Sequence, residues 1–393
     1  MMTDNEIIYL DNNATTQLDP AVIEKMLPFL TKYYAKPSSG KGFGATARKA
    51  INVARERLAA LLGCEPTEIF FTSGGTESDN AAINSALQFE PRGKHLVTTT
   101  VEHRAVLHPC EDLAKRGCAV SFLGVDQHGN VDLAGLESAI RRETTAVSIM
   151  WANNETGVLF PIDRIAELCH QKGVLFHTDA VQATGKIPMS LRDTPINFLS
   201  LSAHKFHGPK GVGALYVNRR TRFSPLIAGG GQENGRRGGT ENVASIVGLG
   251  KAAELAAKYL SDGKCSIRSM RDRFEKAIME NVSGASVNGT GAGRIPNTSS
   301  LSFKGIESPA ALLLLGRYGI CCSAGSACRT GSQEGSHVLR AMDPSGDGAR
   351  RSLRFSLGRF NTEAQIDYAI EVVPKVIEKL RQTAAPRAVA TAL

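Results

Sequence analysis

Lys205 follows the apolar, β-prone run Phe198-Leu199-Ser200-Leu201, and Asp179 closes another apolar run, Val174-Leu175-Phe176-His177-Thr178, 26 positions earlier (205 against 179). A buried strand must release its first long polar side chain where it ends. In an open α/β sheet that end opens on the crevice where ligands bind. Taken alone, Lys205 reads as a snorkelling surface lysine and Asp179 equally as a helix N-cap. Together, with Ser202, His204 and the glycines of His207-Gly208-Pro209-Lys210-Gly211 around the amine, they suit an anionic cofactor. A lysine amine can carry an aldehyde carbon while a carboxylate keeps a ring nitrogen protonated, which is the chemistry of pyridoxal phosphate.

Three further features bear on the same chemistry. Gly74-Gly75-Thr76 stands where the run Ile69-Phe70-Phe71-Thr72 gives way to a helical pattern from about Glu77, so free backbone N–H groups and the helix dipole can meet a phosphate there. A plain turn explains the same three residues. Cys328 lies in Ser323-Ala324-Gly325-Ser326-Ala327-Cys328-Arg329-Thr330-Gly331-Ser332, a run of small residues with few apolar anchors, on which a thiol can move. Arg329 beside it favours the thiolate, the form that attacks sulfur. Arg354 sits in the alternating strand Ser352-Leu353-Arg354-Phe355-Ser356, and its planar fork suits a carboxylate. Arg350, Arg351 and Arg359 are expected to be solvated, and Cys321 and Cys322 to be packed or accessory thiols. No second cysteine pair or histidine cluster completes a metal site, so no intrinsic metal is expected.

The combination of Thr72-Ser73-Gly74-Gly75-Thr76-Glu77-Ser78-Asp79-Asn80, Trp151-Ala152-Asn153-Asn154-Glu155-Thr156-Gly157, His177-Thr178-Asp179-Ala180-Val181-Gln182, Ser202-Ala203-His204-Lys205 and Ser323-Ala324-Gly325-Ser326-Ala327-Cys328 resembles the cysteine desulfurases. These enzymes fall within the class V aminotransferase family, and the likeness is to the nitrogen-fixation and iron–sulfur-assembly type. It runs from Tyr9-Leu10-Asp11-Asn12-Asn13-Ala14-Thr15-Thr16 to about Arg359. The resemblance implies a fold-type I transferase dependent on pyridoxal 5'-phosphate, with a large domain around a mostly parallel seven-stranded sheet covered by helices and a smaller α/β carboxyl-terminal domain. It implies cofactor contacts at Gly75, Thr76, Asn154, Asp179, Gln182, Ser202, His204 and Lys205. By the same likeness His103 stacks on the ring and moves protons, Gln182 meets the phenolic oxygen, and Asn154 and Arg354 hold substrate. Thr240, in the glycine-rich stretch 229–240, reaches the phosphate of a neighbouring subunit, although the stretch alone also reads as a flexible linker. Cys321-Cys322 and Gly346-Asp347-Gly348 depart from the family pattern.

The implied activity is conversion of L-cysteine to L-alanine. Lys205 carries the cofactor as a Schiff base and moves the α-proton, Cys328 takes the sulfur as a persulfide, and an iron–sulfur scaffold protein receives it, with a cluster transiently shared at Cys328. Two competing readings explain part of the pattern. A class V aminotransferase or lyase would use Lys205 and Asp179 without needing the thiol loop; a non-enzymatic iron–sulfur or zinc carrier would use Cys321, Cys322 and Cys328 and leave the pyridoxal motifs unexplained.

Apolar strand candidates at 69–72, 95–98, 119–123, 146–150, 174–176, 198–201 and 214–217 are mostly separated by helical stretches, the pattern of a helix-covered parallel sheet. Helices are expected over 45–62, ended by Gly63, and from Glu241 to about Leu260; Thr362 with Gln365 forms a capping box for the last one. The domains are expected at 16–260 and at 1–15 with 261–382, with a disordered tail over 383–393. A net charge of +8, scattered rather than clustered, and 6% aromatic residues argue against nucleic-acid binding. The longest apolar run, Ala310-Ala311-Leu312-Leu313-Leu314-Leu315, is too short to span a bilayer. The amino terminus lacks a basic, then apolar, signal pattern. A cytoplasmic protein with reduced cysteines is therefore expected, and the family resemblance implies a homodimer.

Overall fold

The computed structural model describes residues 7–39, 42–89, 93–262, 266–324 and 335–384. Its largest sheet has seven strands in the order Ile69–Thr72, Gly213–Val217, Phe198–Ser202, Leu175–Asp179, Thr144–Ser148, His95–Thr99 and Ala119–Leu123. Four of the neighbouring pairs are parallel, and Gly213–Val217 runs antiparallel to both of its neighbours. Five of these strands are buried along their whole length. Successive side chains point to opposite faces and both faces are covered. Thus Phe198, Leu215 and Phe70 pack into one hydrophobic cluster, while Leu199, Leu201, Tyr216 and Phe71 pack into the other. Burying each such side chain contributes about 1.5–3 kcal/mol. Ala119–Leu123, at the sheet's edge, is only partly covered.

The expected strand at 146–150 lies two residues earlier, at Thr144–Ser148. Beyond Ser148 the Met150 N–H donates to the buried Glu102 carboxylate at 3.0 and 3.1 Å, while the Ile149 and Trp151 N–H groups still donate to the His177 and Asp179 carbonyls at 3.1 and 2.9 Å. The helix expected over 45–62 spans Phe43–Leu62 and stops at Gly63, whose φ of 66° is the left-handed conformation that suits glycine. The helix expected after Glu241 is Val243–Ser261.

A three-stranded antiparallel sheet (Ala285–Val287, Thr298–Phe303, Ser352–Ser356) and a parallel pair (Ile8–Tyr9 with Ile320–Cys321) hold a separate cluster that includes Ile8, Leu10, Phe274, Leu353, Phe355 and Val373. The last helix, Glu363–Ala384, starts at the expected box: Gln365 N–H donates to Thr362 Oγ1 at 3.3 Å and Thr362 N–H to Gln365 Oε1 at 3.4 Å. The tail expected from 383 is corrected at its start, since Thr383 and Ala384 continue this helix; residues 385–393 lie outside the described residues.

Candidate active site

The loops after the parallel strands enclose a cavity of about 540 Å³. It is lined by Gly75, Thr76, His103, Asn154, Asp179, Gln182, Ser202, His204, Lys205 and Arg354, so ten of the expected site residues converge at the strands' carboxyl ends. Thr240 is exposed and outside this lining. Cys328 lies outside the described residues.

Lys205 ends a 3-10 turn, Ala203–Lys205, directly after the strand Phe198–Ser202. Its Nζ donates to the carbonyl oxygens of Asn13 and Ala14 at 2.7 and 2.8 Å. Asp179 closes the adjoining strand, in register with Ser200. Its Oδ1 accepts the Val181 N–H at 2.9 Å. Burial, then the nearby Asp79 carboxylate, push its acid up to about 7. A buried cation facing it would restore the carboxylate.

His177, two residues back on the same strand face, is held by Ser148 Oγ at 2.8 Å and Ser200 Oγ at 3.0 Å, and its Nε2 lies 3.5 Å from Asp79 Oδ1. Burial depresses His177 to about 4 and raises Asp79 to about 7. Asp79 Oδ1 has no hydrogen-bond partner. The pair is therefore a neutral imidazole beside an acid poised to change charge.

The helix Gly75–Phe89 points its first turn into the cavity, where amides without intrahelical partners face inward. Glycine is required at its head by close approach. A Cβ on Gly75 would lie 2.6 Å from Val181 Cγ2, and one on Gly213 would lie 2.7 Å from Gly74 Cα. The stretch 229–240 is ordered around a 3-10 turn, Gln232–Gly235. Glu233 there pairs with Arg55 at 2.7 and 2.8 Å and accepts the Phe71 N–H at 2.9 Å, and Arg237 pairs with Glu77 of the glycine-headed helix at 3.0 Å.

Asn13, given no role from sequence, joins the whole site. Its carbonyl oxygen accepts from Lys205 and from Gln182 Nε2 at 2.9 Å; its side chain accepts from Lys186 Nζ at 3.0 Å and Asn297 Nδ2 at 3.0 Å, and donates to Thr298 Oγ1 at 2.8 Å. Gln182 also accepts from Lys186 at 2.6 Å. One of its two amide protons thus remains for a ligand. Burial, with Lys205 and Arg354 nearby, holds the Lys186 amine well below the ordinary lysine range. Gln182 lies in the turns that follow the strand Leu175–Asp179.

Arg354, paired with Ser300 across the small sheet, is 3% exposed. Its Nη2 donates to Asp11 Oδ1 at 2.6 Å and its Nη1 to Asn154 O at 2.8 Å, while Nε has no partner. Arg351 is half-buried and Arg359 pairs with Asp19 at 3.4 Å, which corrects the expectation that both are solvated; Arg350 is exposed. Cys321 and Cys322 are half-buried free thiols, both pushed up by burial. Among the described residues no group of three His, Cys, Asp or Glu side chains converges as metal ligands would.

Backbone contacts fix the proton positions of two imidazoles in the lining. His103 caps the helix Arg104–Lys115, and its Nδ1 accepts the Ala105 N–H at 3.1 Å, so the neutral ring carries its proton on Nε2. His337 Nε2 lies 3.0 Å from the Glu102 carbonyl oxygen, which can only accept.

The acid, the lysine, the amide-lined helix end and the buried arginine together form a donor set that fits pyridoxal phosphate and an amino acid. The class V aminotransferase family profile matches residues 8–369. The chain belongs to the class V aminotransferase family. This class V member is 52% identical over 375 residues to a cysteine desulfurase of Nostoc sp., covering 95% of this chain and 94% of that one. It is similar to a solved NifS-like protein, at a TM-score of 0.89 and 39% identity, covering 95% of this chain and all of that one. It is also similar to SspA solved in complex with cysteine, at a TM-score of 0.79 and 36% identity, over 90% of this chain and 99% of that one.

Sequence reasoning missed Asp79, His177, Lys186 and His337 as parts of this site. His177 could have been found, because it shares a strand face with Asp179.

Proposed function

We propose that this chain is a pyridoxal-phosphate-dependent cysteine desulfurase. The observation that carries the reading is the convergence of Lys205, Asp179, the Gly75 helix end and Arg354 on one cavity, in a chain about half identical to cysteine desulfurases. Pyridoxal phosphate, when bound, supplies an aldehyde carbon for the substrate amine and a ring that stores the electrons of the Cα–H bond. Lys205 would hold the aldehyde carbon, and its amine is the group that would move the proton at Cα. Asp179 keeps a ring nitrogen protonated, and in doing so regains the charge that burial discourages. The first-turn amides at Gly75 and Thr76 hold the phosphate, assisted by Ser202 and His204 and by Thr240 of a second copy. His103 would stack on the ring with its Nε2–H left to move a proton, Gln182 would offer its remaining amide proton to the phenolic oxygen, and Asn154 with Arg354 would grip the substrate carboxylate.

The Cys328 thiolate attacks the substrate sulfur. The new S–S bond forms as the C–S bond breaks, the C–S electron pair goes to Cβ, and two protonations give L-alanine and a persulfide on Cys328. The reaction is redox-neutral overall, Cβ being reduced as sulfur is oxidised. An iron–sulfur scaffold is the proposed acceptor.

Two domains, 16–260 and 1–15 with 261–382, and a cytoplasmic homodimer complete the reading. Ile23, Leu27 and Leu30 on the helix Pro20–Thr31, with Tyr34 and Phe43 beyond it, are exposed large apolar side chains that a second copy would cover. No helix among the described residues is long and apolar enough to cross a membrane. The test is Cys328→Ala: it should retain the cofactor's visible absorbance and lose sulfur release from L-cysteine. A variant that desulfurates cysteine at the full rate would sink the persulfide route.

A further inference from the structure

Lys186 takes no part in the mechanism above and is absent from the cavity lining. A tight turn after Asp179 carries it behind that lining. The Ala183 and Thr184 N–H groups donate to Ala180 O at 3.0 and 2.9 Å, and the Lys186 N–H donates to Ala183 O at 3.0 Å. Gly185, at a φ of 74°, lets the turn press on the segment that carries Lys205, because a Cβ there would lie 2.8 Å from Phe206 Cβ. The Lys186 side chain then closes a ring of three residues. Its Nζ donates to Asn13 Oδ1 at 3.0 Å and to Gln182 Oε1 at 2.6 Å, while Gln182 Nε2 donates to Asn13 O at 2.9 Å. Burial, followed by the nearness of Lys205 and Arg354, holds the amine well below the ordinary lysine range. A neutral amine has two N–H bonds, and both find an acceptor here.

A carboxamide can turn either its oxygen or its nitrogen toward a ligand. In Gln182 these two neighbours make the choice. The Asn13 carbonyl can only accept, so the atom beside it is nitrogen, and Lys186 holds the oxygen on the other side. Gln182 is 4% exposed and lines the cavity, so the amide N–H that Asn13 leaves over is what it can offer there.

We propose that Lys186 is a positioning residue for the cofactor, holding Gln182 Oε1 so that Gln182 stays a hydrogen-bond donor to the phenolic oxygen of pyridoxal phosphate. The inference rests on the pyridoxal-phosphate reading of this chain given above. A phenolate oxygen attracts an N–H and repels an amide oxygen, so turning the carboxamide over reverses the sign of the contact. Removing the amine would leave Oε1 a buried acceptor without a partner, which the carboxamide relieves by turning its oxygen toward the cavity. Asn13 Oδ1 would still have Asn297 Nδ2 at 3.0 Å, so the loss falls on Gln182.

The test titrates the cofactor-free protein by calorimetry with pyridoxal phosphate and with its 3-deoxy analogue, which lacks only the phenolic oxygen. Lys186→Met fills a similar space and donates nothing. It should weaken pyridoxal phosphate about tenfold, the low end for one hydrogen bond to a charged group, and weaken the analogue less than about twofold. Any difference in how the two aldehydes react with Lys205 is common to all the proteins and cancels. Gln182→Ala leaves Lys186 in place and so tests the donor even where Lys186→Met fails to fold; it should lose at least as much discrimination between the two ligands. In the Gln182→Ala background, Lys186→Met should add less than about twofold for either ligand, because it acts through Gln182. Four results would each overturn the inference: equal losses for the two ligands, as a purely structural role would give; no loss in Lys186→Met; wild-type discrimination in Gln182→Ala; or additive losses in the double variant. Wild-type protein that does not bind pyridoxal phosphate overturns the pyridoxal reading itself, and the inference with it.

Discussion

Replacing Arg354 with lysine keeps the positive charge and removes the fork. In the structure the guanidinium spans two elements, Asp11 at 2.6 Å on one side and the Asn154 carbonyl at 2.8 Å on the other, and Nε is left with no partner. A lysine amine can retain the Asp11 pair but cannot also meet a carboxylate in two places. One hydrogen bond to a charged group contributes about 1.5–3 kcal/mol. Since every 1.4 kcal/mol is tenfold, losing one in the bound substrate should lower kcat/KM for L-cysteine by roughly tenfold to a little over a hundredfold. The assay compares L-cysteine with cysteamine, which has the amine and thiol but no carboxylate. Arg354→Lys should leave the slow reaction of cysteamine nearly unchanged. Equal losses for both substrates would show that the variant disturbs the site generally, and no loss for L-cysteine would show that Arg354 does not grip the carboxylate.

Asp79 offers a test by pH. Burial raises its acid to about 7 from an ordinary 3.8, so between those values the folded protein binds more protons than the unfolded chain, and its contribution to stability falls as pH rises from about 4 to 7. Asp79→Asn removes that term. The difference in Tm between variant and wild type, measured without cofactor, should become more positive across that window; a constant difference refutes the buried-acid assignment. Gly75→Ala places a methyl 2.6 Å from Val181 Cγ2, and an overpacking cost of about 1–3 kcal/mol falling on the phosphate cradle should weaken pyridoxal phosphate about fivefold to a hundredfold. Unchanged affinity in an absorbance titration would move the phosphate elsewhere. Glu233→Ala strands Arg55 and the Phe71 N–H, and should cost about 3–5 kcal/mol in denaturant unfolding; a loss below about 1 kcal/mol would mean that water repairs the site.

The parts of the fold legible from sequence were those with a local cause. Phe198-Leu199-Ser200-Leu201 reads as a doubly covered strand because its side chains fill clusters on both faces, and Lys205 and Asp179 are visible because they break such runs. Gly63 and the Thr362–Gln365 box mark helix ends through conformations set within four residues. What stayed hidden depends on contacts distant in sequence. Asn13 takes its place from Lys205, Lys186 and Thr298, and beyond Thr144–Ser148 the Met150 amide turns to the Glu102 carboxylate. His337 carries no local signal at all: its tautomer follows from one carbonyl contributed by Glu102. Arg359 was misjudged for the same reason, its partner Asp19 being far away in the chain.

The most direct measurement incubates the cofactor-loaded protein with L-cysteine and a thiol reductant and quantifies alanine and sulfide in the same sample, for wild type and Lys205→Ala. Equal amounts of the two products from wild type, with neither from the variant, are what the account predicts. Alanine without sulfide, or product formation that survives the loss of Lys205, would contradict it.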